Sequence, residues 1–476
     1  MNLHYTAIVI RFGLICIIVC FSQCKKFVQT DPPATQLVTA SVFNNNATAT
    51  AAQIGIYIQM ASNNESSNME IRTGLLGDEL TNYTSNTNAY YAFYTNAMTA
   101  VGTTGPWTNA YKYIYQANSV IAALQNNGAI SPAAQQQLLG EAKFIRAFWY
   151  FYLTSFYGDV ALVTSTSYTI NASTARSPQT QIYQQMISDL KDALNTLSIN
   201  YVDATDTTIT TERTRPTKWA AAAMLARIYL YSGDYADAVV QSTSVINNNN
   251  LYRLVGLSND SVFKANSLES IWQLAVPQPA SSFDTPDGYF FILNSAPGGA
   301  VNCCAISTQL MQSFELGDAR KKYWINSFQA GTVTYSYPYK YNIRTVSTIE
   351  YTMVLRLAEQ YLIRAEAEAQ LNNLSAAAVD LNFIRRRAGL PVISDSIATS
   401  QQQLLKSILH ERQVELFTEW GQRWIDLGRS GIGNAVMSAV TPQKGGTWNP
   451  DGHQLLFPIP QTEINVDAKL TQNTGY

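Results

Sequence analysis

The stretch KWAAAAMLARIYLYSGDYADAVVQSTSVI, residues 218–246, decides the fold class. Ala221, Leu225, Ile228 and Tyr229 recur at the spacing of one helix face, and Ala238, Val239, Ser242, Val245 and Ile246 do so again after Ser232-Gly233-Asp234. Gly233 accepts a left-handed helix end without steric penalty, so the pattern predicts two antiparallel helices joined by a tight turn. The alanines let facing helices approach closely. That is the tetratricopeptide-like pattern, and such a pair buries its apolar face only by stacking on neighbours.

Working outward, the arrangement returns near 350–389: Val354, Leu357, Ala358, Tyr361, Leu362 and Ala365, a turn at Asn372-Asn373, then Ala378, Leu381, Ile384 and Ala388. A third pair is predicted near 107–157, with Tyr111, Ile114, Ile121 and Leu124 on one helix, Phe144, Phe148 and Phe151 on the next, and Gly128 and Pro132 between. The chain therefore reads as mostly α, a single domain over 40–476 with helical pairs near 107–157, 216–247 and 350–389. Residues 62–106 and 250–350 lose the helical period and are rich in turn residues and tyrosine, so they are expected to be irregular, loop-rich and ligand-facing.

Charged residues make up only 13% of the chain, against about 25% in ordinary soluble domains, so Asn, Gln, Ser, Thr and 28 Tyr must keep the surface wet. Such groups suit neutral, hydroxyl-bearing ligands. A formal net charge of −2 gives no field to draw in a polyanion, which argues against nucleic-acid binding. With three histidines and no HExxH, Gly-x-Ser-x-Gly, Walker or EF-hand pattern, the sequence gives no positive signal for an enzyme class, and no metal or cofactor is expected.

Residues 1–23 read as a signal peptide whose apolar run, from Phe12 to Phe21, is too short to span a membrane. Ser22-Gln23-Cys24 resembles a relaxed lipobox with Cys24 as the acylated residue, and 24–39 reads as a lipidated tether; a plain secreted protein is the alternative. Beyond the signal only the adjacent Cys303 and Cys304 remain, either as two free buried thiols or as a strained vicinal disulfide.

Several motifs, in order along the chain, strongly resemble the SusD/RagB family. They are Cys24 to Phe27 with Asp31-Pro-Pro33, Glu141 to Ala147 with Tyr157-Gly-Asp159, Lys218 to Asp234, Arg356 to Ala367, Asn382 to Leu390, Glu411 to Leu416 with Trp420 and Arg423 to Leu427, and Phe457 to Asn465 with Asn473 to Tyr476. The resemblance implies a lipid-anchored, surface-exposed outer-membrane protein of Bacteroidota. It would capture nutrients, usually glycans, as a lid on a SusC-like TonB-dependent transporter. A peptide-binding lid of the same kind of importer, or a secreted glycosidase, would be the alternatives.

Tyr83, Tyr90, Tyr91, Phe93 and Tyr94 interleave with Asn82, Asn86, Asn88 and Asn96, and a ring platform flanked by amides matches both the apolar faces and the hydroxyl edges of sugars. Tyr90, Tyr91, Tyr94 and Asn96 are the candidate ligand contacts from this segment. The resemblance adds Tyr289 and Trp324, which fall where the family places further contacts. Glu415, Glu419 and Arg423 follow at spacings of four with Glu411, Arg412 and Asp426 nearby, and are expected to neutralise one another as ion pairs beside a buried stripe of Leu416, Trp420, Trp424 and Leu427. For Asp78-Glu79, one of the two hydrogen-bonding a loop backbone is the expected role, with ligand contact the alternative.

Overall fold

The computed structural model describes residues 42–102, 105–257, 261–277 and 281–476, so Cys24, the signal-like segment and the tether lie outside the described residues. The helices that carry the fold are α1 (Asn46–Ser62), α2 (Glu65–Leu76), α3 (Ala89–Tyr94), α4 (Trp107–Leu124), α5 (Pro132–Tyr157), α6 (Gln179–Thr196), α7 (Lys218–Ser232), α8 (Tyr235–Ile246), α9 (Pro286–Phe291), α10 (Leu357–Gln370), α11 (Leu374–Arg387), α12 (Gln401–Leu416) and α13 (Gln422–Arg429). The three predicted pairs are α4/α5, α7/α8 and α10/α11. They stack as one array in which α5 packs on α6, α6 on α7, α8 on α10, and α12 across α10 and α11. Helix α6 has no counterpart in the sequence reading, although Ile182, Met186, Leu190 and Ala193 supply its buried face.

Local chemistry sets the ends of these helices. Thr217 caps α7 by accepting from the Trp219 N–H, and Gly233 ends it at φ +83°, where the Asp234 N–H reaches back to the Tyr229 carbonyl. In the matching α10/α11 turn it is Asn372, at φ +62°, that takes the left-handed conformation. Helix α5 is buried on almost every side along residues 144–157 and forms the centre of the core. Trp149 stacks on Tyr113 with centroids 4.9 Å apart, and Phe148 meets the edges of Trp272 and Trp420 at 5.4 Å each.

The two segments read as irregular are more ordered than expected. Residues 62–106 contain the whole of α2, ten of whose residues are buried, and also α3. Residues 250–350 carry short antiparallel pairs. In strand order these are β1 (Leu80–Asn82) with β3 (Cys304–Ile306), β2 (Ser270–Leu274) with β6 (Thr352–Arg356), and the hairpin β4 (Ile325–Ala330) with β5 (Val333–Pro338). The register sets Asn82 opposite Cys304 and Leu274 opposite Thr352. Cys303 and Cys304 are both buried, free thiols.

Behind these strands lies a buried ionic cluster. Glu415 receives Arg356 at 2.6 Å, Arg320 at 3.1 Å and Arg387, while Glu419 receives Arg356 at 2.7 Å and also Lys340. The expectation that the α12 acids are neutralised holds, but their cations come from other elements. Arg412 instead serves Asp426 at 2.7 Å, and Arg423 grips Asp78 in a fork of 2.8 and 2.7 Å. Of the Asp78-Glu79 pair, Asp78 is thus tied to an arginine side chain, while Glu79 accepts a backbone hydrogen bond from Thr418 in the loop after the last turn of α12, the role expected of one of the two.

Candidate functional site

The candidate ligand-facing surface is built outward from the end of α2. Its last carbonyls, of Leu75, Leu76 and Gly77, accept three bonds from Lys444 Nζ at 2.8 to 2.9 Å, so a buried ammonium closes the C-terminus of the helix. Asn88 then caps α3 by accepting from the Tyr90 N–H at 2.9 Å. Phe93 anchors this single turn and a half in the core, and Tyr91 and Tyr94, three residues apart, share its outer flank. Tyr83 leaves β1 and meets Tyr335 of β5 edge to face at 5.2 Å. Tyr83 is 42% exposed and Tyr91 36%, and the Tyr83 phenol lies close enough to those of Tyr335 and Tyr94 to feel them. Burial first, then these neighbours, raises the Tyr83 pKa, so its hydroxyl stays protonated and can both donate and accept. Beside Tyr91 opens a hollow of about 480 Å³, walled by Thr95, Thr447, Asn449, His453 and Tyr476. Its lining offers hydroxyls, amides and backbone groups.

A second aromatic group sits on α9. Tyr289 stacks on Phe283 at 4.9 Å, meets the edge of Phe290 at 5.3 Å, and carries the Arg344 guanidinium 4.9 Å from its centroid. The two groups share one frame. Asn302 Nδ2 donates to the Phe290 and Ile292 carbonyls, and the Tyr83 N–H donates to the carbonyl of neighbouring Cys303 at 2.9 Å. Beneath them Glu70 of α2 and Asp287 of α9 are hydrogen-bonded to each other. Burial, reinforced by Asp287, pushes Glu70 well above the usual carboxylate range, so the pair shares a proton and joins the two helices.

The remaining carboxyls of this region are closed off. Glu79 is 2% exposed, and burial followed by the Asp78 charge pushes it up to about 8. Among the described residues no group of three or more His, Cys, Asp or Glu is placed to hold a metal ion, and no helix is long and apolar enough to cross a membrane.

Two family models cover most of the chain. Residues 320–476 match the SusD family, and residues 26–230 match a SusD-like model described as starch-binding associating with outer membrane. The chain belongs to the SusD family. A SusD-like protein of Formosa agariphila is 28% identical over 422 residues, 78% of this chain and 80% of its own length. A SusD-like protein of Bacteroides ovatus is 24% identical over 454 residues, 86% of this chain and 80% of its own. Among solved structures, a SusD superfamily protein of Bacteroides vulgatus superposes with a TM-score of 0.77 at 21% identity, covering 90% of this chain and 99% of that one. A laminarin-binding SusD-like protein does so with a TM-score of 0.72 at 20% identity, again covering 90% and 99%. The fold is that of the SusD superfamily.

In this SusD-family chain four of the six candidate ligand contacts reach or approach the surface, and two do not. Tyr91, Tyr94 and Tyr289 belong to the aromatic groups just described. Tyr90 is half-buried, with its phenol in the field of Cys303 and Arg72, under the platform more than on it. Asn96 is a correction: although it borders the hollow beside Tyr91, it is 1% exposed, its Nδ2 donates to the Leu76 carbonyl and its Oδ1 accepts from Thr441, so its amide is committed to holding α2. Trp324 is another. At 3% exposed it lies in the core between Phe263, Phe417 and the Lys340 ammonium, whose nitrogen stands 4.9 Å from its ring. Tyr83, which the segment reading grouped with the platform without naming it a contact, and Tyr335, which it did not consider, complete the first group. The alternation of Val333, Tyr335 and Tyr337 could have flagged the latter as a strand face.

Proposed function

We propose that this protein captures glycans at the outer membrane, held there by acylated Cys24, and passes oligosaccharides to a SusC-like TonB-dependent transporter. The observation that carries the proposal is the half-exposed tyrosine group of Tyr83, Tyr91, Tyr94 and Tyr335, with a polar hollow beside Tyr91. A ring that covers roughly 50 Å² of sugar face contributes about 1.2 kcal/mol at ~25 cal/mol per Å², comparable to the 0.5 to 1.5 kcal/mol of one sugar hydroxyl bond. Several rings together therefore set the affinity while hydroxyls and amides set orientation. Membership of the SusD family, one of whose models is described as associating with outer membrane, supports the location. The laminarin-binding structural neighbour supports the ligand class.

Tyr83→Ala, Tyr91→Ala and Tyr289→Ala are each expected to weaken oligosaccharide binding about 5- to 10-fold with the melting temperature within about 2 °C of the parent. Calorimetric titration with a glycan panel and with mixed oligopeptides tests this. Binding of peptides alone would replace the glycan reading. For the anchor, Cys24→Ala is expected to move the protein from the membrane pellet to the soluble fraction, and an unchanged pellet would remove Cys24 from the proposal.

A further inference from the structure

Among the described residues, 13 of the 17 arginines are committed. Arg146, Arg215, Arg227, Arg320, Arg356, Arg364, Arg385, Arg387, Arg412, Arg423 and Arg429 each pair with a carboxylate, and the partly buried Arg176 and Arg213 donate to backbone carbonyls. Of the arginines that are at least partly buried, only Arg72 and Arg344 lack a hydrogen-bond acceptor among the described residues. Both lie in the aromatic surface. Arg344 rests over Tyr289 at 4.9 Å, and Arg72 stands 5.9 Å from the Phe93 ring that anchors α3. The Arg344 Nε is fully buried and still makes no bond. A buried donor without an acceptor is costly, and natural structures seldom leave one in that state.

A guanidinium laid on a ring keeps its edges uncovered, and here, with Nε buried, the edge that can meet a ligand is the Nη1–Nη2 fork, planar and matched to a two-oxygen anion. Tyr289 fixes the plane of Arg344 in this way. The 342–350 loop that presents it is itself pinned, because the Asp284 carboxylate accepts the N–H groups of Ser347, Thr348, Ile349 and Glu350. Arg72 has the Glu65 carboxyl in its field from the same helix, but not within ion-pair distance. With a net charge of −2 the protein as a whole does not attract polyanions, so discrimination must be local.

We propose that the saccharide captured here is anionic, and that a carboxylate or sulfate-ester group on it pairs with the outward edge of Arg344, whose plane Tyr289 sets from behind. Arg72 offers a second anchor for a longer chain carrying repeated charge. The inference rests on the glycan-capture reading and narrows it to acidic saccharides. Uronate and sulfate present the same paired oxygens to the fork, so the experiment separates them.

The test is calorimetric titration of the full chain with three oligosaccharides of equal length: a neutral β-glucan, an oligogalacturonide and a sulfated galactan. At least one acidic ligand is expected to bind 10-fold or more tightly than the neutral one, and the tighter of the two names the anion. Arg344→Gln should weaken the acidic ligand 10-fold or more while changing the neutral one less than 2-fold. Arg344→Lys, which keeps charge and loses the fork, should recover only part of the affinity, and thermal melts of both variants check that the fold is kept. Equal or tighter binding of the neutral glucan, or an acidic affinity indifferent to Arg344→Gln, overturns the acidic assignment and leaves glycan capture standing. Failure of all three ligands, with peptides bound instead, overturns both.

Discussion

Glu415→Gln is expected to destabilise the protein by about 3 to 5 kcal/mol, the loss that follows when one member of a buried ionic group is removed. Three guanidiniums, from Arg320, Arg356 and Arg387, converge on this carboxylate, and all four side chains are nine-tenths buried or more. An amide would present N–H groups to donors and leave positive charge uncompensated. Burial by itself would raise the Glu415 pKa, but Arg387, Arg356 and Arg320 outweigh it and hold the carboxyl far below its ordinary range. Its folded pKa is therefore lower than its unfolded one. The stabilisation is complete above the ordinary carboxylate range and is lost as pH falls from there toward the folded value. Urea titrations across pH 3 to 7 should show the parent losing stability on acidification, with a shallower slope in the Gln variant. A variant within 1 kcal/mol of the parent at pH 7 would remove the cluster as the keystone of this half of the molecule.

Trp324→Ala is expected to cost a further large amount, about 3 to 5 kcal/mol, by opening a cavity between Phe263, Phe417 and Lys340. It should do so without changing saccharide affinity in the folded fraction, the reverse of Tyr91→Ala. Paired melts and titrations decide the matter, and a stable Trp324→Ala protein that no longer binds would return this ring to the ligand surface.

The helical array was legible because its residues obey one local rule, apolar side chains every three to four positions with Gly233 or Asn372 at the turn. Helix α2 escaped that rule. Its sequence, ESSNMEIRTGLL, is polar, yet Glu65, Ser66 and Glu70 are buried because their partners wait elsewhere: Asn109 and Tyr113 for Glu65, Asp287 for Ser66 and Glu70, and the Trp420 N–H for Glu70. No periodicity reveals a bond between residues 221 positions apart. The candidate site failed in the same direction. Asn96 and Trp324 have the right chemistry for a sugar, but burial is decided by distant Thr441 and Lys340. Conversely Tyr83 and Tyr335 meet only because a hairpin brings β5 beside β1 and β3.

The closing contacts of the fold set a schedule for making it. The Asn473 side chain donates to the Tyr157 carbonyl across 316 positions, Arg176 holds the Thr471 carbonyl across 295, and the Phe457 N–H bonds to the Phe156 carbonyl at 2.6 Å. The end of α5, the most deeply packed helix, is thus finished by residues that follow it by as many as 316 positions. Early helices can form and pair while the chain is still growing, but the end of α5 cannot be locked until residues 457–473 arrive, and loops of this span close slowly. Nascent chains stalled before residue 457 should therefore remain protease-sensitive around α5, and resistance should appear in one late step once residues 457–473 have emerged.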